Sequence, residues 1–361
     1  MRVLLLHHPY TYPRFEQDFV DRVAELPEFD VVAADVNALE AGALASSDRP
    51  VALTDYDAVI VFVAFKRLRA APTLAWGDFT GLRVLMDHDI IQNYSTIFDV
   101  TLQGAWPPVF QRHRFDSVVT SGRTVQERLA ADGIAADWVP KGFEPARFPT
   151  RSGRRSGIAT YGSAYACRQV AERALRDEAI PLTRLDTTSY VQLGARLNQF
   201  LGCLAISSEL EVPPEQRASL VLGMQRSRER SLQRSPERSV QRSRERSVQR
   251  SRERSLARDV PMHPGLEPMA KFFEAAGAGC CPIADAMDDL EALGFRDGDT
   301  CLTFRSHAEL VDKLRAAVNA PATLQAMGAA AARLAHAEHT WAHRARALRD
   351  AIVRRLQRST P

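Results

Sequence analysis

Short apolar runs recur along the first 140 positions, at 3–6, 29–33, 58–64, 82–86, 117–119 and 136–139. Runs of this length that do not alternate with polar residues predict strands buried on both faces. The run at 58–64, Ala-Val-Ile-Val-Phe-Val-Ala, is apolar throughout and is expected at the centre of a sheet. Between the first two runs, Phe15, Phe19, Val23 and Leu26 recur at helical spacing. A helix over 124–131 should stop at Gly133, where a left-handed residue ends the last turn. The polar, glycine-containing stretch 150–156 reads as a linker. Beyond it come strands at 157–161, 182–185, 203–206, 280–283 and 301–304. Tyr190, Leu193, Leu197 and Phe200 mark a helix, and further helices are expected over 307–319 and 321–335. Strands that alternate with helices predict an α/β protein with parallel sheets covered on both faces. Ligands of such sheets sit past the carboxyl ends of the strands.

A chain of 361 residues is long enough for two cores, so we divide it at the linker into domains over 1–150 and 151–340, with a closing helix over 341–361. The net charge of +3 excludes a general drive toward nucleic acid or membrane, but it conceals a local excess. From 226 to 257 an eight-residue arginine-serine repeat carries eleven arginines and four glutamates, which leaves the rest of the chain slightly acidic. Its apolar residues, Leu232, Val240, Val248 and Leu256, step around a helix by about 80° each time and form no stripe. The segment cannot bury a face and reads as a low-complexity insert. An RNA-binding reading is weakened by the interspersed glutamates and by the lack of aromatics for base stacking, so no nucleic-acid partner is expected. The five cysteines have no metal-site spacing and read as reduced core residues of a cytoplasmic protein. The apolar start is too short for a signal peptide, and no stretch would span a bilayer.

Candidate chemistry gathers in two places. Pro264 and Gly265 make a turn after His263, and Pro268 suits the first position of a helix whose apolar face is Met269, Phe272, Phe273 and Ala276. A glycine turn before a helix N-terminus is an anion site, and Lys271 adds charge for a diphosphate. Strand 157–161, the turn Gly162-Ser163 and a helix containing Arg168 form a second such cradle. On the other side, His7 and His8 follow the first strand, and His88 and Asp89 follow the fourth. Both strand ends should share one rim, where an imidazole can donate or accept near neutral pH.

The run Lys-Phe-Phe-Glu-Ala-Ala-Gly-Ala-Gly at 271–279 resembles the nucleotide-sugar signature of the family 4 GT-B glycosyltransferases (glycosyl transferases group 1), nearest the spore-maturation branch. Gly81 to Asp89, 115–121, 139–148 and 337–345 are similar to other parts of that family. The resemblance implies a GT-B fold, two Rossmann-like doubly wound domains with a cleft between them and a last helix that crosses back. It implies that Glu274 holds the donor ribose and that Gly265 and Glu267 lie in the loop facing the diphosphate and sugar. Leu266 stands where many members carry an earlier glutamate. Gly162, Ser163, Arg168 and Lys271 would meet the donor phosphates. His88 would be the catalytic-side histidine, with His7, His8 and Asp89 lining the acceptor. The segment 139–148 would close the first domain, with Phe148 packing the linker back onto it.

The implied activity is transfer of a sugar from a nucleotide diphosphate sugar to a glycan, lipid, protein or small-molecule acceptor. Configuration would be retained, and neither metal nor cofactor is implied. Two alternatives stay open at this stage: a non-catalytic GT-B-like protein that binds a glycan or partner, favoured by Leu266, and a nucleotide-sugar epimerase.

Overall fold

In the computed structural model, residues 1–9, 15–95, 100–163, 165–185, 190–210 and 261–359 are described. The arginine-serine repeat at 226–257 lies outside them. Six strands form the first sheet: β1 (Val3–His7), β2 (Phe29–Ala33), β3 (Ala58–Phe62), β4 (Leu82–Asp87), β5 (Ser117–Thr120) and β6 (Ala136–Trp138). They lie in the order β2-β1-β3-β4-β5-β6 and every pair is parallel. The apolar run expected to be central is β3, between β1 and β4, with all five of its residues buried.

The second sheet contains β7 (Ile158–Thr160), β8 (Leu182–Arg184), β9 (Gly202–Leu204), β12 (Cys281–Asp285) and β13 (Leu302–Phe304). Its order is β13-β12-β9-β7-β8, again parallel throughout. In each sheet the order in which strands are added reverses once. The switch falls between β1 and β3 in the first sheet and between β7 and β9 in the second, and these are the places where a doubly wound sheet opens a ligand crevice.

A two-stranded antiparallel ladder of β10 (Glu209–Leu210) and β11 (Met262–His263) was not foreseen. It brings the two flanks of 211–260 side by side. A two-residue strand has no period to read, so the sequence carried no signal for it.

The last helix, Trp341–Ser359, packs beside the helix Phe15–Ala24. Trp341, Ala345, Leu348 and Ile352 join Val3, Leu5, Phe19 and Met86 in one apolar cluster of the first sheet. The chain end thus completes the core begun by its start. Phe148 departs from expectation. With Phe143 it packs in the second core beside Phe272 and Phe273, and its ring meets Tyr190 edge-on at 5.7 Å. The first sheet ends at Trp138, so ten residues on the chain already lies against the other half.

The helix of the candidate donor loop spans Ala270–Gly277, with Met269 in extended conformation as its N-cap. Pro268 therefore precedes the cap rather than opening the helix. Gly279 takes φ +77 after the helix, the left-handed stop expected of it.

Candidate active site

Gly162 follows β7 at φ +79, which only glycine adopts without strain. A Cβ at this position would lie 3.5 Å from Arg168 Nη1 and 3.6 Å from Lys271 Nζ. The small turn therefore has a buried guanidinium and a buried ammonium against it. Arg168 Nε donates to the Ile206 carbonyl at 3.0 Å and Nη1 to the Ser163 carbonyl at 3.1 Å. Lys271 Nζ donates to the Tyr161 carbonyl. Among the described residues neither cation pairs with a carboxylate. Burial, and next the Arg168 guanidinium, push Lys271 down to about 7. Two cations held close together in a dry site favour an anion between them. Arg184, which sequence reasoning passed over, is a third basic group here. It donates to the Gly162 carbonyl and pairs with Glu172 at 2.6 Å.

Glu274, one turn into the helix, is buried, and both its oxygens are occupied. Tyr161 donates its hydroxyl to one, and Tyr190 donates to the other at 3.0 Å. Burial raises its carboxyl above the usual range, against the pull of both tyrosine hydroxyls. Neither tyrosine was singled out from sequence. Tyr161 directly follows β7 and Tyr190 starts a helix, and nothing local links them.

The loop before the helix is built from below by Asp285, at the carboxyl end of β12. Its carboxylate accepts from Ser207 N at 2.9 Å and from Gly265 N. A side chain at Gly265 would meet Ser207 Oγ at 2.3 Å, so glycine is required there by contact alone. Glu267 turns away from the phosphate cradle. It forms an ion pair with Lys141 and accepts from Ser121 Oγ at 2.8 Å, both from the first half of the chain. Ser121 Oγ also lies 3.1 Å from the His88 carbonyl. Asp289 makes a second cross-domain contact, accepting from Arg123 N at 2.7 Å and Thr124 N at 3.2 Å at the start of the helix Arg123–Ala131.

His88 follows β4 and is almost wholly enclosed. Its ring lies 5.0 Å from Phe62, 5.4 Å from Phe19, 5.7 Å from Trp341 and 6.2 Å from Phe15. Neither ring nitrogen has a hydrogen-bond partner among the described residues. Burial, and then the charge of Lys141, push His88 down to about 3, so the imidazole is neutral. Asp87 beside it is pushed up to about 8, by burial first and then by Asp89. Trp106 Nε1 donates to it at 3.0 Å and Asp89 N at 2.8 Å. His7 ends β1, separated from β4 by β3, and His8 follows it; both are half-buried, with His7 Nδ1 2.8 Å from the His8 carbonyl.

Apart from His7 and His8, the predicted residues thus fall into two groups. Gly162, Ser163, Arg168, Lys271 and, through Tyr161, Glu274 form one. His88, Asp89 and Glu267 meet in the other, around Lys141 and Ser121. Gly265, held by Asp285 and packed against Ser207, lies on the side of the second group, since Ser207 Oγ also donates to the Glu267 carbonyl. Among the described residues no cluster of His, Cys, Asp or Glu is arranged to hold a metal ion, and no helix is long and apolar enough to cross a membrane.

Residues 244–350 match a family described as glycosyl transferase-like. No curated protein matches the chain in sequence. Sucrose-phosphate synthase from Thermosynechococcus elongatus is similar in structure at TM-score 0.57 and 10% identity, over 99% of this chain and 100% of that one. HepE from Anabaena, in complex with UDP-glucose, is similar at TM-score 0.56 and 12% identity, over 98% of this chain and 99% of that one. HepE in complex with UDP and glucose gives TM-score 0.56 at 11% identity, over 98% of this chain and 99% of that one. These likenesses span the whole chain and establish the fold as GT-B, with two Rossmann-like domains. Over residues 244–350 the chain is therefore similar to a glycosyl transferase-like family, and the whole chain has the GT-B fold.

Proposed function

We propose that this protein transfers a sugar from a nucleotide diphosphate sugar to an acceptor, with the donor diphosphate held at Gly162 between Arg168 and Lys271. The observation that carries the reading is that cradle: two buried cations, without carboxylate partners among the described residues, against a left-handed glycine turn. Ser163 flanks the same turn. Lys271, poised near neutrality, takes up a full charge when a diphosphate arrives and so stabilises it as a leaving group. These side chains supply the charge that a metal would otherwise provide, so the reaction is read as metal-independent, with no cofactor. Retention of configuration follows from the family likeness. Glu274 is assigned to the ribose hydroxyls, with its tyrosine partners fixing the carboxylate. His88, His7, His8 and Asp89 are assigned to the acceptor side. HepE, of the same fold, binds UDP-glucose, which makes UDP the first nucleotide to try. A cytoplasmic location belongs to the same reading and agrees with five free, buried thiols.

The experiment is a thermal-shift series with UDP, GDP, ADP and their glucose conjugates, since a ligand that binds only the folded state must raise its stability. A rise with one nucleotide, lost in Lys271→Met, supports the site. No rise with any of them would overturn it.

A second reading rests on one observation. Leu266, at the position where a glutamate is common in the family, is buried in the apolar cluster of the first domain. A protein that binds the nucleotide or a glycan without turning it over would fit that replacement. Clear nucleotide binding without hydrolysis or transfer from any donor would favour it.

A further inference from the structure

Lys141 and Glu267 are 126 residues apart and form a buried ion pair between the two halves of the chain, at 1% and 0% exposure. Glu267 belongs to the loop that leads into the donor helix. Lys141 belongs to the segment that leaves the first sheet. Around this pair the loop is clamped on every side. Leu266 inserts into the first domain's apolar cluster. Gly122 leaves no room for a side chain, since a Cβ there would lie 2.9 Å from Glu267 Cβ. On the other face Asp285 holds Gly265 N, and Ser207 Oγ donates to the Glu267 carbonyl at 3.3 Å. Ser121 Oγ reaches both the Glu267 carboxylate and the His88 carbonyl. One chain of polar contacts therefore runs from the donor loop to the loop bearing His88.

We infer that Lys141 is a positioning residue, which holds the donor loop 265–267 in fixed register with the His88 loop through Glu267 and Ser121. The inference rests on the functional reading above for its link to transfer, but not for the clamp. A buried carboxylate that loses its cation is left uncompensated. Relief comes from moving the loop toward water. Asp289 meets the N-terminus of the helix Arg123–Ala131 independently, so the two domains stay together when the loop moves.

The test compares the parent with Lys141→Met, Lys141→Arg, Glu267→Gln and the double variant K141M/E267Q. Hydrogen exchange is followed at 265–267 and at 281–285. In K141M, exchange at 265–267 should rise about tenfold or more, while the strand beneath keeps its protection. The double variant, which has no buried charge left at the pair, should recover most of that protection. In turnover of the parent's donor, K141M should lower kcat by about 10- to 100-fold and leave UDP affinity within about twofold, and K141R should restore activity in part. Parent-like exchange at 265–267 in a folded K141M would overturn the inference. So would a loss of protection spread equally over 281–285, or an unchanged kcat. If the parent neither binds nucleotide nor turns over any donor, the functional reading fails, and the exchange pattern still decides whether Lys141 holds the loop.

Discussion

Lys271 and Tyr161 meet twice: the ammonium donates to the tyrosine's backbone carbonyl and lies 4.7 Å from its ring centroid. The same tyrosine donates its hydroxyl to Glu274. One residue just past β7 thus ties the candidate phosphate cation to the candidate ribose carboxylate.

The first prediction concerns pH. Free Lys271 loses its proton near 7, but a bound diphosphate needs the lysine charged. Binding therefore takes up a proton above that pH. UDP affinity should fall as pH rises from about 7 to about 9, by at most about tenfold per unit. Lys271→Arg stays charged and should flatten the dependence. Without ligand the sign is opposite for folding. Between about 7 and the ordinary 10.5 the unfolded chain holds the proton that the folded one has lost, so this group makes the fold gain stability as pH rises. Calorimetry across that range checks both. A pH-independent affinity in the parent would remove Lys271 from the phosphate site.

Glu274→Ala should weaken UDP binding by about 1.5–3 kcal/mol, the worth of a hydrogen bond to an ionised partner. It should also lower the melting temperature, because Tyr161 and Tyr190 lose the acceptor of their hydroxyls. Tyr190→Phe leaves the carboxylate in place and should affect stability more than affinity. Parent-like UDP affinity in a folded Glu274→Ala protein would end the ribose assignment.

His88→Ala should spare nucleotide binding, which we assign to the second sheet, and should slow turnover by about 10²–10⁴-fold. Because burial holds the imidazole neutral down to about pH 3, its contribution should not vary across neutral pH. Rates of donor hydrolysis or transfer in parent and variant decide this. Equal rates would reduce His88 to a packing residue of its aromatic cluster.

Removing 226–257 should leave a folded protein with a cooperative melt. Glu209 pairs with His263 and Leu210 with Met262, so the chain leaves and returns at adjacent positions, and a shorter connection can close the gap. Loss of solubility or of the melt in the deletion variant would show that the repeat is structural.

How much of this was legible follows from how local each feature is. The strands, the alternation that makes both sheets parallel, the stop at Gly279 and the strand-end position of His88 depend on a few consecutive residues, and a period or a glycine reports them directly. The cradle was legible in parts, since strand, Gly162 and the Arg168 helix are contiguous. That Lys271 closes it from 109 residues away came only from a family likeness. The partners of Glu274, the pairing of Glu267 with Lys141, the support of Gly265 by Asp285 and the packing of Phe148 on the second core all join residues far apart along the chain. No periodicity encodes them, because they depend on how two separately wound sheets stack and face each other. The sequence alone determined which elements form and where charge and glycine stand along them. Tertiary packing decided which carboxylate meets a tyrosine and which meets a lysine, because burial leaves a charged group only the partners that the fold brings within reach.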